Sequence, residues 1–282
     1  MATANWASLP HLVLLQIFKK LNLRDLGNAA KTCYNWAEIS RLGELRQNIC
    51  FYHYVVNFRE AMLNNARAFG KYYKYLIISI DFLDQRFLTE LIWILILSEC
   101  KLIEITIHDQ TMFIGSPDWV VPNLSCIIKA GSASLQIFLE RQTCLQTFNL
   151  YPDFSFYRRC GYFYDSTFNT PCSLKLIFCT FLIKSVANCT SESLKHLYFE
   201  AANSGLVAFP TSGIQNDFFD QLNRFTSLVS LHVGSVRLCF TQVIMLSENN
   251  GSALKKIDYG YYTFSNSSDL EKLRVKYPKG RF

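Results

Sequence analysis

From Leu12 to Leu21 the apolar residues Leu12, Val13, Leu14, Leu15, Ile17, Phe18 and Leu21 cover more than one side of a helix. Pro10 suits the first turn, where a missing N–H costs nothing. A helix of about ten residues that is oily nearly all round has to be covered on two sides or sit in a membrane, and about 20 residues are needed to span one. Two protein surfaces are therefore expected to cover it. Asn22–Asp25 breaks the helix, a second is expected over Leu26–Thr32, and a third segment over Cys33–Ser40 turns Trp36 inward. About 45 residues with so little polar cover lie near the limit below which a core stands alone, so the second surface is expected to come from another protein.

Beyond residue 73 the pattern changes to a short recurring spacing: apolar, two residues, apolar, one residue, apolar. It reads Tyr73-Leu76-Ile78, Leu102-Ile105-Ile107, Leu145-Phe148-Leu150, Leu174-Ile177-Cys179, Leu194-Leu197-Phe199, Leu228-Leu231-Val233, Leu254-Ile257-Tyr259 and Leu270-Leu273-Val275. A weaker copy at Leu124 and Ile127 has Lys129 in its third place. The starts run from 73 to 270 in eight steps, a mean of about 25 residues. Helical segments separate these strand-like cores: Phe87–Leu97, Ser134–Arg141, Phe181–Asn188, Asp217–Leu222 and Cys239–Leu246. Before the first core, Phe58, Met62, Leu63, Ala66 and Phe69 share a helical face that ends at Gly70. Stacked units of this kind bury a continuous core beneath a parallel sheet.

Two resemblances follow. LPHLVLLQIFKKLNLRDLGNAAKTCYNWAEIS resembles an F-box through Leu9, Pro10, Ile17, Phe18, Leu21, Asp25, Leu26, Ala29, Ala30, Cys33 and Trp36, with departures at Leu12, where the family usually has an acid, and Thr32, where it has Val. The remainder is similar to the leucine-rich-repeat class of F-box proteins, with uneven unit lengths and no regular Asn ladder. The expected fold is thus α/β: a small all-α, three-helix F-box at 1–48, a linking helix at 49–72, and a leucine-rich-repeat solenoid with a parallel sheet at 73–282. The resemblance implies a substrate-recognition adaptor of an SCF (Skp-cullin-F-box) ubiquitin ligase that is not itself an enzyme. Its partners would be a Skp-type adaptor, through it a cullin, and a protein substrate. The adaptor-facing residues would be Leu9, Pro10, Leu14, Ile17, Phe18, Leu21, Leu26, Cys33 and Trp36.

Within each expected strand the residues between the apolar ones point away from the core. That register puts Glu104, Thr106 and His108, then Thr147, Asn149 and Tyr151, then Phe178 and Thr180, then His196, Tyr198 and Glu200, then His232, then Lys256 and Asp258 on an outer face. As a group they form a candidate substrate surface, although any single one of them is better read as an ordinary solvated strand residue. Two long insertions adjoin it. Tyr151–Pro171 gathers eight aromatics around Arg158 and Arg159, and Glu200–Asp217 is rich in turn residues. Arg and aromatics make interface anchors, and they also make loops that cap a helix.

Charge and composition narrow the partners. Eight Lys/Arg against four Asp/Glu in residues 1–70 supply most of the net +6, which favours an acidic protein partner at that end. The adaptor of the F-box family is acidic. No basic run forms a phosphate-tracking stripe, so nucleic acid is not expected. The longest apolar run, Leu91–Leu97, falls far short of a membrane span. Ten cysteines without a CxxC pair fit reduced thiols and a cytoplasmic or nuclear protein. Metalloprotease, nucleophile-elbow, phosphate-loop and dinucleotide motifs are missing, and no His/Cys spacing suits zinc, so neither catalysis, metal nor cofactor is expected. The alternative function is a non-catalytic interaction scaffold that delivers nothing for ubiquitination.

Overall fold

The computed structural model describes residues 6–21, 23–51, 59–80, 85–109, 133–152, 171–200, 212–234, 240–250, 253–259 and 267–278. Helix α1 (His11–Phe18) starts where the Pro10 carbonyl, at φ −55° and ψ 143°, accepts from the amides of Val13 and Leu14 at 3.0 and 3.1 Å. It ends three residues earlier than the apolar run, because Lys20 and Leu21 donate to the carbonyls of Ile17 and Phe18 in a tighter turn. Helices α2 (Leu23–Ala29) and α3 (Tyr34–Ser40) complete a three-helix module. Leu14, Phe18, Leu26, Ala29 and Ile39 form its core, and Phe18 meets Trp36 edge-on at 5.4 Å. The chain before α1 is tied to α3, since Trp36 Nε1 donates to the Trp6 carbonyl at 3.3 Å and Asn35 Nδ2 to that of Ala7 at 3.1 Å.

Among the described residues a seven-stranded parallel sheet follows, with its strands side by side in chain order. They are β1 (Asn48–Phe51), β2 (Tyr75–Ile80), β3 (Glu104–Asp109), β4 (Thr147–Tyr151), β5 (His196–Phe199), β6 (Ser230–Val233) and β7 (Lys256–Tyr259). Between and after them run α4 (Arg59–Phe69), α5 (Gln85–Leu97), α6 (residues 133–140), α7 (Pro171–Thr190), α8 (Ser212–Leu222), α9 (Phe240–Asn249) and α10 (Ser267–Lys276).

Alternation decides which face is covered. Ile49, Phe51, Leu76, Ile78, Ile105, Ile107, Phe148, Leu150, Leu197, Phe199, Leu231, Val233 and Ile257 all enter one core. From the helices the same core receives Leu63, Leu91, Leu95, Phe138, Leu182, Val186, Phe218, Leu222 and Leu246. The helices therefore cover one face of the sheet, and the alternate strand residues line the opposite one. A sheet with helices on both faces would instead carry near-continuous apolar strands.

Two buried amides join helix ends to strand starts. Gln142 accepts the Leu102 amide through Oε1 at 2.9 Å and donates to the Phe138 carbonyl at 3.2 Å. Asn250 repeats the arrangement, accepting from Leu228 at 2.8 Å and donating to Leu246 at 2.9 Å. Each supplies the hydrogen bonds that a helix C-terminus and a buried turn lack.

Several expectations change. The sheet begins at Asn48, not at 73, so 49–72 holds part of β1 as well as α4, whose Leu63 and Ala66 belong to the core. Leu174-Ile177-Cys179 lies inside α7 and Leu270-Leu273-Val275 inside α10, so neither is a strand. Phe178, expected on the outer face, is buried in the core. The copy at Leu124 falls outside the described residues. An apolar triplet spaced three and two fits a helix as well as a strand, and Pro171 at the start of α7 marks a helix N-terminus.

The module and the sheet are joined without a gap. The Gln47 carbonyl accepts from the amides of Lys74 and Tyr75 at 2.9 and 3.0 Å. Arg46 lies 5.2 Å from the centre of the Phe69 ring. Gly43 is needed where it stands, because a methyl group there would run into the Tyr72 ring.

Candidate functional site

Two surfaces stand apart from the cores. On the first, α1 is amphipathic in an unusual sense: both of its sides are apolar. Leu14 and Phe18 point into the module, while Leu12, Val13 and Ile17 are 77, 44 and 42% exposed. Trp6 and Tyr34 add exposed rings at 63 and 77%. Exposed apolar residues clustered this densely on so small a unit mark an interaction surface. Lys19 and Lys20 follow α1 on the surface, Lys19 reaching Glu44 at 3.5 Å.

Among the residues expected to face an adaptor, the structure separates three groups. Ile17 and Pro10 are exposed. Leu14, Phe18 and Leu26 are fully buried within the module and are corrected to core. Leu9, Leu21 and Trp36 are part-buried against that core, and Cys33 is a free, half-buried thiol. Sequence reasoning missed Trp6, Leu12, Val13 and Tyr34 as surface residues. The excess of apolar residues around α1 announced a second surface without saying which side would form it.

The second surface is the face of the sheet opposite the helices. A row of rings crosses four neighbouring strands. His108 stacks on Tyr151 at 4.7 Å, Tyr151 meets Tyr198 at 5.0 Å with a 37° tilt, and Tyr198 stacks on His232 at 4.0 Å. Parallel register makes this possible, since His108 pairs with Tyr151 and Tyr198 with His232. Carboxylates flank the row. The Tyr198 hydroxyl donates to Glu200, and His232 lies 3.8 Å from Glu200 and 3.9 Å from Asp258. Lys256 holds Asp258 at 2.7 Å. At the other end Asn149 Nδ2 donates to Glu104 Oε1 and to Thr106 Oγ1, both at 3.0 Å. His196 Nδ1 pairs with Ser230 Oγ at 3.0 Å.

Burial sets the charge states along this row. It holds His108 below the ordinary imidazole range. It does the same to His232, outweighing the nearby Glu200 and Asp258, which pull the other way. Both histidines are neutral at pH 7. Burial, then the charges of Glu200 and Glu104, raise the Tyr151 phenol; burial and the Glu200 hydrogen bond raise Tyr198.

Glu104, His108, Asn149, Tyr151, His196, Tyr198, Glu200, His232, Lys256 and Asp258 thus come together on one face. Arg158 and Arg159 lie outside the described residues, as do 153–170 of the first long insertion and 201–211 of the second. Missed from the sequence was an apolar groove of about 320 Å³ at the β1–β3 end, lined by Cys50, Tyr75, Ile77 and Glu104. Its signal was the alternation in Tyr75–Ile78, with Tyr75 and Ile77 turned away from the core.

Among the described residues no group of three or more His, Cys, Asp or Glu could hold a metal, and no helix is long and apolar enough to cross a membrane. The chain therefore carries a small three-helix module followed by an α/β body. Residues 6–52 match the F-box-like family, whose domains generally bind Skp-type adaptors. The matched segment runs one residue past the end of β1 at Phe51. A comparison of the whole chain with curated proteins finds no match.

Proposed function

We propose that this chain is the substrate-recognition adaptor of an SCF-type ubiquitin ligase. Its F-box docks on a Skp-type adaptor, which connects it to a cullin, and its open sheet face holds a protein substrate. The observation that carries this reading is the F-box-like match at 6–52 on a module whose first helix keeps Leu12, Val13 and Ile17 exposed beside a complete internal core. The body reads as a degenerate leucine-rich-repeat solenoid, supported by parallel strands in chain order with helices on one side only. The chain catalyses nothing itself. It raises the local concentration of substrate lysines beside the charged ubiquitin-conjugating enzyme, for degradation by the proteasome, in the cytoplasm or nucleus.

Affinity purification of the full chain tests this. Recovery of a Skp-type adaptor and a cullin by the wild type, and of neither by Ile17→Asp, is the expected result. Equal recovery by both removes the docking role, whereas recovery of the adaptor without a cullin leaves a scaffold that delivers nothing.

A further inference from the structure

The chain as a whole carries a net charge of +6, yet the described residues of its open sheet face have the opposite sign. Among the described residues three carboxylates, Glu104, Glu200 and Asp258, share that face with one ammonium group, Lys256, and with His108 and His232, which burial keeps neutral. Lys256 already neutralises Asp258. Among the described residues the hydrogen-bond donors to Glu200 and Glu104 are uncharged, the Tyr198 hydroxyl and the Asn149 amide. Glu200 keeps 46% of its side chain exposed. An ionised carboxylate anchored by a neutral donor, beside a wall of rings, retains lone pairs directed at solvent and a field that favours a cation. The Lys256–Asp258 pair at 2.7 Å, one strand beyond His232, shows the same face accepting an alkylammonium group.

At the other end of the face the groove formed by Cys50, Tyr75 and Ile77 is apolar. Three strand steps separate β2 from β5. At about 4.8 Å per step, with a small offset along the strands, Ile77 and Glu200 are roughly 15 Å apart, or about five residues of extended chain.

We propose that the open face binds an extended basic segment of a partner protein, seating an Arg or Lys side chain at Glu200 beside Tyr198 and an apolar side chain over Tyr75 and Ile77. Arg is favoured over Lys, because a planar guanidinium can bond the carboxylate with two donors while lying against a ring. The inference rests on the reading of this face as the substrate surface and specifies what that substrate carries. An acidic segment is repelled by the same carboxylates, and so is a nucleic-acid backbone.

The test uses the full-length chain and synthetic fluorescein-labelled peptides on a Gly-Ser background. One series carries a Leu and an Arg at increasing separations, and a matched series has Glu in place of Arg. Fluorescence anisotropy is expected to detect the Arg series, tightest near a five-residue separation, and not the Glu series. Glu200→Gln weakens the Arg series about tenfold, the loss of roughly one charge-assisted hydrogen bond. Tyr198→Phe, which removes the competing hydroxyl and keeps the ring, leaves that binding unchanged or tighter, provided both variants melt like the wild type. Binding of both series alike, of the Glu series or oligo-dT in preference, of neither series, or without dependence on Glu200 overturns the proposal. Leu12→Asp separates the two readings. It abolishes adaptor binding without affecting the peptides if both are right. Peptide failure with adaptor binding intact removes only the basic-segment inference.

Discussion

In the N-terminal module five buried apolar residues, Leu14, Phe18, Leu26, Ala29 and Ile39, sit beneath a surface that still carries Trp6, Leu12, Val13, Ile17 and Tyr34. In the α/β body every strand sends apolar residues into one shared core, and the face left open is lined mainly by polar groups and rings, apart from the apolar groove at Cys50, Tyr75 and Ile77. The exposed apolar side chains of the body, such as Trp93, Leu97, Ile137 and Met245, lie on the outer sides of α5, α6 and α9. The body covers most of its own hydrophobic surface by packing helices against one face of the sheet. The module is too small to do so and leaves one flank of α1 exposed.

Because the two cores are separate clusters, they should fail separately. Phe199→Ala opens a cavity where Phe199 packs edge-on against Phe218 at 5.1 Å, and about 3–5 kcal/mol of stability should be lost from the body in denaturant unfolding. Phe18→Ala should raise hydrogen exchange in α1–α3 and leave the central strands protected. Exchange that rises equally in both regions would show one cooperative unit instead of two.

A smaller loss is expected at the helix-to-strand amides. Asn250→Leu leaves the buried Leu228 amide without its acceptor, costing about 1–3 kcal/mol. Equilibrium unfolding of the variant measures it. A neutral result would mean that water or a shifted backbone replaces the bond.

The smallest effect is one of pH. His108 and His232 have folded pKa values below their ordinary ones, so the unfolded chain takes up protons first as pH falls. Their contribution is complete above about pH 6.5, the unfolded value, and declines as pH drops through it toward the folded values. Melting temperature should therefore fall between pH 7.5 and 5.5, and His108→Phe, which keeps the stacked ring, should reduce the slope.

What could be read in advance depended on how local the signal was. The α1 helix, the inward Trp36 and six of the seven strands follow from apolar spacing alone, because each lies in a segment bounded by turns. β1 escaped notice because Ile49 and Phe51 show only two apolar positions, with Leu63 and Ala66 completing their cover from another element. The triplets at Leu174 and Leu270 misled because one spacing serves both helix and strand. At the candidate sites, the register of His108, Tyr151, Tyr198 and His232 on a common face was legible from alternation. Their stacking into a row was not, since it depends on which strands become neighbours. The module's outward residues were legible only as an excess, since choosing between Leu12 and Leu14 requires the placement of α3.

The account turns on whether the exposed flank of α1 binds an adaptor. Calorimetric titration of the purified full-length chain with a Skp-type adaptor, for the wild type and for Leu12→Asp/Ile17→Asp, measures this directly. The predicted result is a one-to-one complex for the wild type and a loss of at least about 2 kcal/mol in the variant, with its melting temperature unchanged. Absence of binding by the wild type, or equal binding by a fully folded variant, would contradict it.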